Sequence, residues 1–348
     1  MAHMGVPTMQ PTLFAEGTAT VRKRTQGGVA RLPRERESKP KRYELVQGDC
    51  FEWLGKQPND SIHAVITDPP FGLLEYRPDQ ITKLRAGRGG VWRIPPKLDG
   101  CLRKPLPRFT VLSPEELKAL ESFFPCWAEK VVKVLVPGGH VFIASNPLLS
   151  PLVSSALMMS GFERRGEIIR LVRTLRGGDR PKLAEKEYDF VSVMPRSCYE
   201  PWGLFRKPIS ENRVSQNLVK WGTGGLRRTP NGRPFPDVLK SETPPDVEVR
   251  IVSHPSLKPQ KFLRQLVWGS LPMQRGVILD PFMGSGSTIA AAEALGYESV
   301  GIELDTHFYQ MAVESVPKLA GIKATWESFE GANGNSAQDK IKSLSLSF

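Results

Sequence analysis

Two short runs carry residue types and spacings that could do chemistry. The first is Asp68-Pro69-Pro70-Phe71, directly after the apolar run His63-Ala64-Val65-Ile66-Thr67. Two prolines end a strand and supply no backbone donor. They leave a carboxylate, free carbonyls and an aromatic ring fixed at a strand end. That set suits an exocyclic amine on a base: Asp68 accepts one N–H and the Pro69 carbonyl the other. Such an amine is a poor nucleophile, because its lone pair is delocalised into the ring. Two acceptors favour a pyramidal nitrogen with its lone pair aimed at an electrophile. Phe71 can stack on the base face, worth about 1–3 kcal/mol. A base inside a duplex has to flip out to reach such a site. Taken alone, the same four residues also fit a tight turn after a strand.

The second run is "VILDPFMGSGST", residues 277–288, which reads as strand, glycine turn and helix. Gly284 and Gly286 let the backbone approach a ligand closely. A phosphate loop would need Gly-Lys-Ser/Thr, and the lysine is missing; a dinucleotide fingerprint would need a third glycine near Thr288. Instead Asp280 stands directly before the turn, where it repels a phosphate and attracts a cation. Glu303 ends the next strand, a position suited to a ribose diol. A ligand with a ribose and a cationic end but no phosphate fits S-adenosyl-L-methionine. The bland alternative is a tight strand-to-helix turn flanked by two surface acids.

"DPPF" followed far downstream by "DPFMGSGST" resembles the permuted β class of amino-group DNA methyltransferases, the N6-adenine and N4-cytosine family. In that class the Asp-Pro-Pro-aromatic motif precedes the cofactor motif. Gly48-Asp49-Cys50 is similar to its strand-end motif before the catalytic strand. "HPSLKP", His254 to Pro259, is similar to an element that helps bind the methionine end. The resemblance covers most of residues 43–196 and 254–325. It implies Asp68, Pro69, Pro70 and Phe71 as catalytic residues. It implies Asp49, His254, Ser256, Lys258, Asp280, Phe282, Gly284, Gly286, Ser287, Thr288 and Glu303 around the cofactor. Phe71 departs from the more usual Tyr or Trp, keeping the stacking face and losing the hydroxyl. The leading Asp, where cytosine enzymes more often have Ser, points to adenine N6, with cytosine N4 as the alternative. RNA or protein-glutamine methylation is a further alternative; the latter usually has Asn at the Asp68 position. A non-catalytic DNA-binding regulator on the same fold is the reading from another class, and the intact pair Asp68 and Asp280 argues against it. The resemblance also implies a homodimer and leaves open a cognate restriction enzyme.

The elements that must hold these runs follow from periodicity and punctuation. "YELVQGD" reads as a strand followed by a helix, and "HAVITD" as the next strand. Ser113, Pro114 and Glu116 form a helix start with a capping box. Leu117, Leu120, Phe124, Trp127, Val131 and Val134 recur at helical spacing until Pro137-Gly138-Gly139. Strands are expected at 140–145, "RRGEIIRLVRT" and 188–194, with a helix over 147–160. "GVILDP", "STIAAAEALG" and "ESVGIELD" then give strand, helix and strand. Pro125-Cys126 resembles a cytosine-C5 nucleophile motif, but it falls inside the amphipathic helix, and Asp68 already fills the strand end. The expected fold is an α/β, Rossmann-like methyltransferase domain with a mostly parallel sheet and a small target-recognition insertion.

The expected organisation is a basic arm at 1–42, a catalytic half at 43–196, a recognition region at 197–250, a cofactor half at 251–327 and a polar tail at 328–348. The 348-residue chain has a formal net charge of +12. An acidic partner is expected, and nucleic acid is the first candidate; the resemblance implies double-stranded DNA. The loop 73–110 carries Arg85, Arg88 and Arg93; the recognition region carries Arg206, Lys207, Arg213, Arg227 and Arg228. Arg and Lys can hold phosphates or read guanine. A solvated insertion is the plainer reading of the recognition region, and a loop as long as 73–110 is uncommon unless functional or disordered. Four widely spaced cysteines without a CxxC pair argue against a zinc cluster, so no metal is expected. No apolar run is long enough for a membrane span and no signal-peptide core stands at the start. A cytoplasmic, nucleoid-associated protein is expected.

Overall fold

Alternating side chains decide how the central strands are used. In the strand β2 (Ile62–Thr67), Val65 faces one side and Ala64 and Ile66 the other, all fully buried. In β5 (Leu135–Ala144), Val141 and Ile143 share the first side while Phe142 and Ala144 share the second. Strands buried on both faces need helices on both faces, and that is the architecture found. The computed structural model describes residues 41–70, 97–98, 101–102, 114–145, 147–176, 181, 184, 186–193, 195, 197–241, 244–252 and 257–323.

The remaining strands are β1 (Tyr43–Gln47), β6 (Glu163–Arg176), β7 (Ser197–Arg206), β8 (Val238–Lys240), β9 (Val277–Asp280) and β10 (Glu298–Glu303). A separate two-residue pair, β3 (Lys97–Leu98) and β4 (Cys101–Leu102), lies within the basic loop. The eight-stranded sheet has the order β1-β10-β9-β2-β5-β7-β6-β8. β1, β10, β9, β2 and β5 run parallel, and β7 is antiparallel to both β5 and β6.

One face is covered by α1 (Cys50–Lys56), α2 (Pro114–Val134) and α3 (Ser150–Met159). Leu120, Phe124, Trp127, Val131 and Val134 form the buried stripe of α2, as the periodicity predicts, while Leu117 at the same spacing is exposed. Each such side chain contributes about 1.5–3 kcal/mol by leaving water. The other face is covered by α6 (Gln260–Ser270) and α7 (Ser287–Leu295). A third apolar cluster joins α7 to α8 (Thr306–Ala320). Two short helices, α4 (Val214–Trp221) and α5 (Asp246–Ile251), lie in the segment before α6.

Two expectations need correction. The strand expected at 188–194 is absent where the chain is described: residues 186–190 form turns and 191–193 are irregular. Phe190 and Val193 are exposed there, so the alternating pattern has no sheet to bury it. The antiparallel strand is instead β7, inside the stretch expected to recognise DNA. Pro201 and Gly203 disguise it, because both residues count against a strand interior. Pro201 lies at the end of the β5 ladder, where its carbonyl accepts from the Ser145 amide at 2.9 Å. Trp202 is fully buried beside Phe262, with ring centroids 5.3 Å apart, and belongs to the core.

Candidate functional site

β9 and β2 are neighbouring parallel strands, with Ala64 opposite Ile278 and Val65 opposite Leu279. The chain leaves β9 toward β10 on one side and leaves β2 toward β5 on the other. Strand order therefore reverses between them, which opens a crevice at their carboxyl ends. Asp280 is the last residue of β9, and Asp68 directly follows β2. The two acids that were 212 positions apart in sequence thus meet at one crevice.

A hydrogen bond ties the two strand ends. Thr67 Oγ1 donates to Asp280 Oδ1 at 2.7 Å, and the Phe282 amide donates to the same oxygen at 3.2 Å. The Thr288 hydroxyl also favours the ionised form of Asp280. Burial pushes Asp280 up to about 7 despite these donors. A cation placed beside it would favour the ionised form.

The glycine turn behaves as the sequence suggests. Gly284 and Gly286 both have positive φ, 52° and 79°. At Gly286 a Cβ would also stand 2.5 Å from Val316 Cγ2, so any larger residue strains the α7–α8 packing. Gly286 caps α7 without a side-chain hydrogen bond. Ser287 and Thr288 are buried in the first turn.

Glu303 ends β10. Its Oε2 accepts from the Gly284 amide at 2.9 Å and its Oε1 from the Asp305 amide at 2.9 Å. Burial pushes its carboxyl up, against the pull of those amides. An ionised carboxylate has about four lone-pair sites, so two bonds leave capacity for a diol. Asp49 is the N-cap of α1 and accepts from the Phe51 amide at 2.6 Å. Gly48 before it donates its amide to the Glu303 carbonyl at 2.9 Å. Phe282 lies against Trp127 and Phe123, with centroids 5.8 and 6.0 Å away.

Lys258 reaches the carboxyl end of β2, where Asp68 stands. Its ammonium donates to Asp68 Oδ2. Glu200 of β7 lies beside it, and Arg170 of β6 bonds Glu200 at 2.7 Å. Glu200 and Arg170 carried no motif, and β7 itself was hidden, so nothing in the sequence marked them. Phe71, His254, Ser256, Arg85, Arg88 and Arg93 lie outside the described residues.

The recognition cations divide. Arg206 is buried, bonds Glu163 Oε2 through Nε and Nη2 at 2.9 and 2.6 Å, and donates to the Gly224 carbonyl at 2.8 Å. Lys207 bonds Asp60 and the Leu135 carbonyl, both at 2.7 Å. These two brace the sheet and are corrected from DNA contacts to internal ties. Arg227 lies flat on Trp268, 3.1 Å from the ring centroid, and donates to the Tyr297 hydroxyl at 2.9 Å. Arg213 and Arg228 face solvent. Among the described residues there is no cluster of His, Cys, Asp and Glu that could hold a metal ion, and no helix long and apolar enough to cross a membrane.

The N6/N4 DNA methylase family model matches residues 62–314. The Type II methyltransferase M.HindIII of Haemophilus influenzae is 24% identical over 300 residues, covering 77% of this chain and 93% of that protein. M2.DpnII of Streptococcus pneumoniae is 22% identical over 272 residues, covering 77% and 87%. Two solved structures share the fold at a TM-score of 0.50 each. TTHA0409 of Thermus thermophilus is 20% identical, covering 80% of this chain and 96% of that one. The cytosine-N4-specific PvuII DNA methyltransferase is 15% identical, covering 83% and 90%. The chain belongs to the N6/N4 DNA methylase family.

Proposed function

We propose that the chain methylates the N6 amine of an adenine flipped out of duplex DNA. Membership of the family makes it a DNA methyltransferase whose methyl donor is S-adenosyl-L-methionine. The observation that carries transfer to an exocyclic amine is the meeting of Asp68 and Asp280 at one crevice, joined through Thr67; adenine over cytosine rests on the resemblance, through the Asp that heads the motif. One acid faces the methyl acceptor and the other faces the donor.

The donor supplies an electrophilic sulfonium methyl, and the residues around it fit such a group. Asp280, buried with a raised carboxyl, favours a cation over a phosphate. Glu303 keeps lone pairs for a ribose diol, and Phe282 with Phe123 and Trp127 offers aromatic faces. His254 and Ser256 complete the methionine end by resemblance alone.

Asp68 and the Pro69 carbonyl would hold the amine while Phe71 stacks on the base. Attack is direct, and positioning and electrostatics carry the rate. A base acting before attack is not required, since a neutral aryl amine is far too weak an acid. Its proton leaves after the nitrogen has become cationic, so Asp68 works ionised, as an acceptor. Arg213 and Arg228, together with the basic loop, are the cations we assign to DNA. A homodimer and a cognate restriction enzyme rest on resemblance; sedimentation of the purified chain tests the first.

Methyl transfer to duplex DNA by the purified chain, with Asp68→Ala beside it, tests the reading. The variant should lose transfer and keep cofactor binding by calorimetry. Transfer within about tenfold of the parent, a loss below about 1.4 kcal/mol of barrier, would overturn the role of Asp68.

A cytosine-N4 substrate is the second reading. It is favoured by the shared fold with the cytosine-N4-specific PvuII enzyme.

A further inference from the structure

Four charged side chains from four separate elements form a line that ends on Asp68. Arg170 of β6 donates Nε to Ser241 Oγ at 2.9 Å, and its guanidinium carbon stands 5.3 Å from the centre of the Phe262 ring. Its Nη1 bonds Glu200 Oε2 at 2.7 Å. Glu200 Oε1 lies 3.6 Å from Lys258 Nζ, which in turn donates to Asp68 Oδ2. The signs alternate from Arg170 through Glu200 and Lys258 to Asp68. The side chains are 8, 20, 13 and 22% exposed, so water screens them little.

We propose that Lys258 is a positioning residue for methyl transfer, holding Asp68 ionised with Oδ1 turned toward the target amine, and that Glu200 and Arg170 hold Lys258 in place. The proposal rests on the assignment of Asp68 as the amine acceptor. It moves Lys258 from the cofactor, where resemblance puts it, to the acceptor side of the site.

The geometry argues for this in three steps. An ammonium has three donors and no acceptor; this one bonds Asp68 and forms an ion pair with Glu200 at 3.6 Å, so its charge is held between two carboxylates on the acceptor side. Its bond falls on Oδ2; among the described residues Oδ1 has no hydrogen-bond partner. A carboxylate that must accept from an amine is useless once protonated, since it would then donate. Burial, helped by the Glu200 charge, pushes the Asp68 carboxyl above its ordinary value, against the pull of Lys258 and, less, of Arg170. Thr67 faces Asp280 rather than Asp68. Lys258 is therefore the principal group opposing protonation of Asp68. The same line of charges is ready for the positive nitrogen that forms during transfer, which would extend the alternation by one place.

The test compares Lys258→Gln, Lys258→Arg and Asp68→Asn. Single-turnover transfer to duplex DNA is followed against pH, and S-adenosylhomocysteine affinity is measured by calorimetry. Lys258→Gln should shift the acid limb of the rate profile up by about one unit or more, recover rate at high pH, and hold ligand affinity within about twofold. Lys258→Arg should return the limb toward the parent. An unmoved limb, or affinity lost by about tenfold with the limb unmoved, makes Lys258 a cofactor ligand and overturns the proposal. If Asp68→Asn transfers at the parent rate, the reading of Asp68 itself fails. An inactive Asp68→Asn with an unmoved limb in Lys258→Gln sinks this proposal alone. Should Lys258→Gln not fold, the double variant with Asp68→Asn should fold again, because it removes both buried charges; a double variant that stays unfolded overturns the pairing.

Discussion

Thr67 Oγ1 and Asp280 Oδ1 are 2.7 Å apart, so the last residue of β2 is hydrogen-bonded to the acid that ends β9. The residue before Asp68 thus helps fix the carboxylate we assign to the cofactor. Thr67→Val keeps the shape and removes the donor. It should weaken cofactor binding by about 0.5–1.5 kcal/mol, up to roughly tenfold in Kd. Calorimetry at pH 8, where Asp280 is mostly ionised, is the measurement. An unchanged Kd would separate the two strand ends functionally.

Asp280 also makes the free protein sensitive to pH. Its folded carboxyl titrates at about 7 and its ordinary value is 3.8. Between these values the folded protein keeps a proton that the unfolded chain has released. Stability therefore falls as pH rises through that window. Asp280→Asn removes this contribution, so the variant should gain on the parent between pH 4 and pH 8. The gain should be on the order of 1–4 kcal/mol in urea titrations. Cofactor affinity should run the other way, rising with pH through about 7 in the parent and becoming weak and pH-independent in Asp280→Asn.

Asn217 supports a different part of the molecule. It is fully buried in α4, accepts from the Ser210 amide at 3.2 Å, and donates to the Pro137 and Thr223 carbonyls at 2.9 Å each. It thereby pins residues 210–224 to the start of β5. Asn217→Ala leaves the Ser210 amide and the Thr223 carbonyl without this partner, while the Pro137 carbonyl keeps the Thr223 hydroxyl at 2.7 Å, and should cost about 1–3 kcal/mol. Thermal unfolding would measure it, and a change below about 0.5 kcal/mol, ordinary for a surface site, would mean that water replaces the amide.

How much of this was legible in the sequence depended on where the signal was local. Asp280, Gly284 and Gly286 were legible because a strand, a turn and a helix lie within one short run. The α2 stripe was legible because its period is undisturbed from Leu120 to Val134. β7 was not, since Pro201 and Gly203 break the pattern and its partners β5 and β6 are what make it a strand. Glu200 and Arg170 were hidden for the same reason: their meaning comes from pairing across the sheet. Arg206 and Lys207 looked like DNA contacts because their partners Glu163 and Asp60 are far off in the chain.

That division of the cations gives a test with salt. Neutralising a residue that holds a phosphate should reduce the slope of log K against log salt by roughly 0.9. Arg213→Gln and Arg228→Gln should each flatten it, as should joint neutralisation of Arg85, Arg88 and Arg93. Arg206→Gln should leave the slope unchanged and lower the melting temperature, because its charge is bound to Glu163. A flattened slope in Arg206→Gln with normal stability would return it to the DNA surface.

The base that receives the methyl group is the remaining chemical choice. Adenine N6 and cytosine N4 present the same amine geometry to Asp68 and the Pro69 carbonyl. A charged acceptor binds the amine more strongly than a hydroxyl does, and it stabilises the positive nitrogen formed in transfer. That gain applies to both bases, so it supports the mechanism more than the choice. Asp at the head of the motif favours adenine, because cytosine-N4 enzymes more often place Ser there. DNA methylated by the purified chain, digested to nucleosides and separated by mass spectrometry, decides between them. N6-methyladenosine is expected as the main product. N4-methylcytidine without it would reverse the choice of base and leave the role of Asp68 intact, since the carboxylate holds either amine in the same way.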